Sequence, residues 1–136
     1  MDPIRDLLHR YADAVCRNDE LAWAATWSDD GVWDLGGGRE ATGLEEITDM
    51  WRGGMGRYAR VLHRYENSAA TLDEAAGTGT GRAYVTEVLK PTDEGALVMH
   101  GYYDDEYRRT DDGWLFSRRS LVRLYHGPPD FSGFFD

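Results

Sequence analysis

Apolar residues recur at helical spacing in the first stretch of the chain, where Ile4, Leu7, Leu8, Tyr11, Ala12 and Val15 form one stripe. Asp2 followed by Pro3 supplies a capping side chain and a proline at the first helical position. Asn18-Asp19 breaks this helix and caps a second, predicted over 20–27 with Leu21, Trp23, Ala24 and Trp27 as its apolar positions. Ser28-Asp29-Asp30-Gly31 reads as a turn, 32–35 as a short strand, Gly36-Gly37-Gly38 as a tight hairpin turn and 39–42 as the return strand. A third helix is predicted over 44–51. After Gly53, Gly54 and Gly56 the pattern becomes four long strands, 58–73, 76–89, 95–109 and 113–125. The turns between them are short, which predicts sequential antiparallel neighbours. The tail, 126–136, holds Pro128-Pro129 and three phenylalanines and reads as irregular, placed to cover a pocket mouth or to dock on a partner subunit.

Both faces of the long strands carry apolar residues. Within 118–125, Leu121 and Tyr125 share one face, Val122 and Leu124 the other. A sheet with helices on one side and water on the other would be polar on its wet side. The pattern predicts helices and a pocket on one face and another subunit on the other, hence a homodimer through the outer sheet face. The chain reads as one domain, 1–136, of α+β class. Gly77-x-Gly79-x-Gly81 falls inside a strand region and reads as a bend rather than a phosphate loop.

Charge narrows the partners. Fifteen basic against 25 acidic residues give a net charge of −10, which repels nucleic acid and anionic membranes. No apolar run approaches the roughly 20 residues of a membrane span, and residues 1–5 hold no apolar signal core, so the expected location is cytoplasmic. Cys16 is the sole cysteine, which excludes a disulfide framework. No group of His and carboxylates has metal-ligand spacing, so neither metal nor cofactor is expected.

Two stretches, Trp23-Ala24-Ala25-Thr26-Trp27-Ser28-Asp29-Asp30-Gly31-Val32-Trp33 and Glu106-Tyr107-Arg108-Arg109 followed by Gly113-Trp114-Leu115-Phe116, bracket His63-x-x-x-Asn67. Together with the element order they resemble the SnoaL-like branch of the nuclear transport factor 2-like superfamily. The resemblance implies a cone-shaped α+β barrel in which three N-terminal helices pack on a strongly curved antiparallel sheet enclosing a pocket. Within the superfamily the chain is similar to hexachlorocyclohexane dehydrochlorinase, scytalone dehydratase and bile-acid dehydratase. There a histidine on the first long strand is the general base and an aspartate near the end of the first helix orients it.

The histidine position is kept as His63, whereas the aspartate position holds Cys16. A carboxylate fixes the imidazole tautomer and stabilises the imidazolium, and a neutral thiol does neither. Cys16 is either a small core residue or a thiol beside the base. Tyr11 is either stripe packing or a phenol donor in the pocket, and Arg119 either stabilises developing negative charge or pairs with a carboxylate. Trp33 is either core or pocket wall. The resemblance places Tyr84, Met99, Tyr103 and Leu121 in the pocket, and strand parity with Arg119 adds Arg123. These residues support a cofactor-free lyase, isomerase or cyclase acting on a small hydrophobic, cyclic molecule. The alternative is a binding module without catalysis.

Overall fold

The computed structural model describes residues 2–136; Met1, the first residue of the segment read for a signal core, lies outside them. Helix α1 spans Pro3–Arg17. The Asp2 side chain accepts from the Ile4 and Arg5 amides, and Asn18 closes the other end in the left-handed conformation, φ 53°. Asp19 then caps α2, Glu20–Ala24, accepting from the Ala22 amide at 3.0 Å.

The second helix is shorter than its pattern predicts. Trp27 instead opens strand β1, Trp27–Asp34, which absorbs the expected turn at Ser28–Gly31. Tertiary pairing decides this: Trp27 lies opposite Phe116, and the Phe116 amide donates to the Thr26 carbonyl at 2.9 Å. Burying an indole in a paired strand outweighs one more helical turn.

Strand β2 is Glu40–Thr42 and α3 is Leu44–Met55. The turn before β2 needs Gly36, Gly37 and Gly38, all at positive φ (80°, 61°, 83°). The long strands are β3, Tyr58–Asp73; β4, Thr78–Pro91; β5, Leu97–Thr110; and β6, Gly113–Gly127. The tail is not wholly irregular: Phe134–Phe135 forms β7, opposite His126 and Tyr125 of β6.

The sheet runs β2-β1-β6-β5-β4-β3, with β7 beside β6. It is strongly curved but open, because β2 and β3 end the path unpaired. The expected all-antiparallel sheet is corrected at one seam, β1 with β6, which is parallel. These two strands are far apart in sequence, so no turn signal dictates their relative direction.

Register sorts the side chains into cross-sheet rows. His63, Glu87, Met99 and His126 form one inner row. Gly81, Asp105, Arg119 and Trp33 form another. The helices cover this inner face, and the core of Leu7, Tyr11, Trp23, Ile47 and Phe116 lies between. A bulge in β6 at the step from Arg123 to Tyr125 breaks the parity expected from sequence. Arg119, Leu121 and Arg123 stay inside, while Tyr125 turns outward beside His100.

Gly81 is required for close approach. A Cβ there would meet the Ala69 carbonyl and the Tyr107 hydroxyl, both at 2.7 Å. Gly81 is thus a packing device under the Tyr107 phenol. Gly81→Val is expected to cost about 1–3 kcal/mol through overpacking. Urea unfolding checks this, and an unchanged midpoint would show that β3 yields freely.

Candidate functional site

The inner rows converge on a cavity of about 240 Å³. Its walls are largely apolar, with Trp33 from β1, Trp51 from α3, Leu89 from β4, Met99 from β5 and Leu121 from β6. Tyr11, Tyr103, Glu87 and Arg123 bring polar groups to the same space. A compact cavity with few polar groups suits a small organic ligand. Trp33 is held in place by its indole N–H, which donates to the Tyr103 hydroxyl at 3.3 Å.

His63 lies immediately behind this wall, its side chain 1% exposed. Its ring packs against Tyr11 (centroids 5.3 Å apart) and edge-on to Tyr65 (4.9 Å). Nδ1 is 2.7 Å from Glu87 Oε2. Facing an ionised carboxylate, Nδ1 is the donor, and the neutral imidazole then presents its lone pair at Nε2. Nε2 is buried and has no hydrogen-bond partner among the described residues.

The thiol does not join this dyad. The His63 amide donates to Cys16 Sγ at 3.3 Å, and Sγ–H donates to the His63 carbonyl at 3.5 Å. Cys16 clamps the end of α1 to the β3 backbone and is absent from the cavity wall. The orienting carboxylate comes instead from β4, directly opposite His63 in register. Its signal was present in the sequence: in Val85-x-Glu87-x-Leu89 an acid occupies an inward position between two apolar ones.

One further expectation is corrected, and of the two readings left open for Arg119 the carboxylate pair is the one seen. Tyr84 points to the outer face, where it packs on Tyr102 at 5.3 Å, because its register row is the outer one. Arg119 is fully buried rather than in the cavity wall. Its Nε and Nη2 donate to Asp105 at 2.7 and 3.0 Å, and Nη1 donates to the Tyr65 hydroxyl at 2.7 Å. The guanidinium also lies over the Tyr103 ring (3.8 Å) and the Tyr11 ring (4.5 Å). Burial pulls the guanidinium down and the Asp105 carboxyl up; the ion pair opposes both and holds Arg119 charged.

Burial pushes the phenols of Tyr11, Tyr65, Tyr103 and Tyr107 above the usual tyrosine range. In the unfolded chain these groups ionise near pH 10, so above that pH the unfolded state binds fewer protons than the folded one. Stability is therefore full below about pH 10 and falls above it, by up to about 1.4 kcal/mol per pH unit for each phenol. A tyrosinate absorbance titration should show these four ionising only as the protein unfolds. Their ionisation near pH 10 in the folded state would contradict the buried assignment.

No group of three or more His, Cys, Asp or Glu among the described residues could hold a metal ion, and no described helix is long and apolar enough to cross a membrane. An open curved sheet and three helices around an apolar cavity define the nuclear transport factor 2-like class. Within it the chain belongs to the SnoaL-like domain family, whose model matches residues 1–120.

Among solved structures the chain is similar to a scytalone dehydratase-like protein from Novosphingobium aromaticivorans, at 21% identity over 92% of this chain and 84% of that one, TM-score 0.85. An aromatic ring hydroxylase-like protein from the same organism is 30% identical over 90% and 87% of the two chains, TM-score 0.83. The type 3 LinA hexachlorocyclohexane dehydrochlorinase of Novosphingobium barchaimii is 23% identical over 98% and 92%, TM-score 0.83. No curated protein matches the chain.

Proposed function

We propose that this protein is a cofactor-free enzyme of lyase, isomerase or cyclase type that acts on a small, largely apolar cyclic molecule by proton abstraction at His63. The observation that carries the reading is the 2.7 Å bond from Nδ1 to Glu87, a cavity-lining residue, which leaves Nε2 buried and unpartnered. Glu87 takes the part a helix aspartate would play, fixing the tautomer and stabilising the imidazolium. Tyr11 and Glu87, which contact the imidazole, line the cavity, whereas His63 itself does not. Tyr11 and Tyr103 stay protonated and donate to oxygen that gains negative charge; the Arg119 cation behind their rings favours that charge. A dehydratase and a dehydrochlorinase name eliminations among its structural relatives, which supports proton abstraction.

His63→Ala is expected to lower turnover of a substrate identified by screening by about 10²–10⁴-fold. Unchanged turnover would overturn the mechanism. The burial of the imidazole behind the wall favours a second reading, a module that binds its ligand unaltered. Recovery of a converted product rejects that reading.

The outer sheet face supports a homodimer as the working form. Leu62, Val88 and Val122 are 45%, 38% and 37% exposed on that face, and Phe131 and Phe135 extend the patch beside Tyr125. Sedimentation should give twice the 15.4 kDa chain mass, and Val122→Glu should shift it toward the monomer. A wild-type mass of one chain across concentrations would exclude the dimer.

A further inference from the structure

The cationic residues around the cavity are distributed in a way that core packing does not explain. The chain is strongly acidic, and eight of its arginines are held by carboxylates within 4.0 Å. Of the six arginines that form no ion pair among the described residues, Arg5, Arg60 and Arg64 lie away from the cavity, whereas Arg39, Arg57 and Arg123 line it. They arrive from three separate places: the β1–β2 turn, the α3–β3 turn and the inner face of β6. Arg39 and Arg57 are exposed at the rim, while Arg123 is half-buried in the wall. The Arg123 Nη1 donates to the Leu35 carbonyl at 2.8 Å, which fixes the guanidinium and leaves Nε and Nη2 free to donate. His126 also lines the cavity. Glu87 is the sole carboxylate in the lining, and it is already engaged by His63.

Three guanidinium groups against one engaged carboxylate make the lining of this cavity cationic within an otherwise acidic protein, which favours an anionic ligand. The rest of the lining is largely apolar, with Trp33, Trp51, Leu89 and Met99. We propose that the ligand of this cavity is an amphipathic anion: an apolar ring system carrying a carboxylate, with the ring against the tryptophans and the carboxylate on Arg123, Arg39 and Arg57. Arg123 supplies the paired donors that match a carboxylate, and the two rim arginines draw the anion in against the protein's overall field. The inference rests on the cavity being the ligand site proposed above, but it does not need His63 to be a base.

The test compares 2-naphthoate with its neutral amide, 2-naphthamide, followed by quenching of tryptophan fluorescence and by calorimetry at pH 7. The acid is expected to bind at least ten times more tightly than the amide, and the preference should shrink as salt is raised. Arg123→Met should abolish the preference. The double variant Arg39→Met/Arg57→Met alters only exposed side chains, so its folding is secure, and it should weaken acid binding several-fold. Equal binding of the two probes, binding of neither, or a preference that survives all three substitutions would overturn the proposal. Since the readout is equilibrium affinity, it is independent of the His63→Ala turnover test. A catalytically silent protein that still prefers the acid would refute the enzyme reading alone.

Discussion

Asp105→Asn is expected to destabilise the fold by about 3–5 kcal/mol, the largest single-residue effect anticipated for this protein. Both side chains of the Asp105–Arg119 pair are 0% exposed, and the carboxylate receives two guanidinium bonds, at 2.7 and 3.0 Å. Removing one charge leaves the other buried without compensation, which is far costlier than the pair itself is stabilising. The surrounding rings of Tyr103, Phe116 and Tyr11 offer cation–π attraction but no acceptor strong enough to replace a carboxylate. Urea unfolding should show a lowered midpoint with an unchanged slope. Replacing both partners by apolar residues, Asp105→Leu with Arg119→Met, should recover most of the loss. A single-variant cost below about 1 kcal/mol would mean that water reaches Arg119 and the pair is not truly buried.

Glu87→Ala is expected to lower kcat by about 10²–10⁴-fold with KM little changed, because Glu87 acts through His63. Glu87→Gln keeps an acceptor for Nδ1–H but loses the negative charge, so it should fall between wild type and Ala. That ordering separates a positioning role from a structural one, which would instead appear in thermal stability and be shared by both variants. The Glu87 side chain is 25% exposed, so neutral replacements there are tolerated by the fold. Full activity in Glu87→Ala would show that the imidazole needs no carboxylate, and the proposed dyad would be wrong.

The two predictions concern groups that differ in how they could be read from sequence. His63 stands out by its place on the first long strand. Glu87 follows the same inward parity as Val85 and Leu89, so alternation alone marks it as an acid on the apolar face. What alternation lacks is register. A strand says which of its own residues face inward, but not which residue of the neighbour lies opposite. The pairing of His63 with Glu87, and of Asp105 with Arg119, comes from the β3–β4 and β5–β6 ladders.

Local chemistry by itself determined a good deal here. The caps at Asp2, Asn18 and Asp19, the glycine turn at 36–38 and the four long alternating segments dictate the element order, because each rests on contacts within a few residues. Tertiary structure alone decided the rest. It drew Trp27 out of a helix and into a strand opposite Phe116, turned Tyr84 outward and inserted the β6 bulge that separates Tyr125 from Arg123. It also set Cys16 on the His63 backbone instead of the ring, and gathered Arg39, Arg57 and Arg123 from distant segments around one cavity. Each of these depends on partners 14 or more residues apart. Their free energy appears only once the sheet has curved and both sides of each contact have left water.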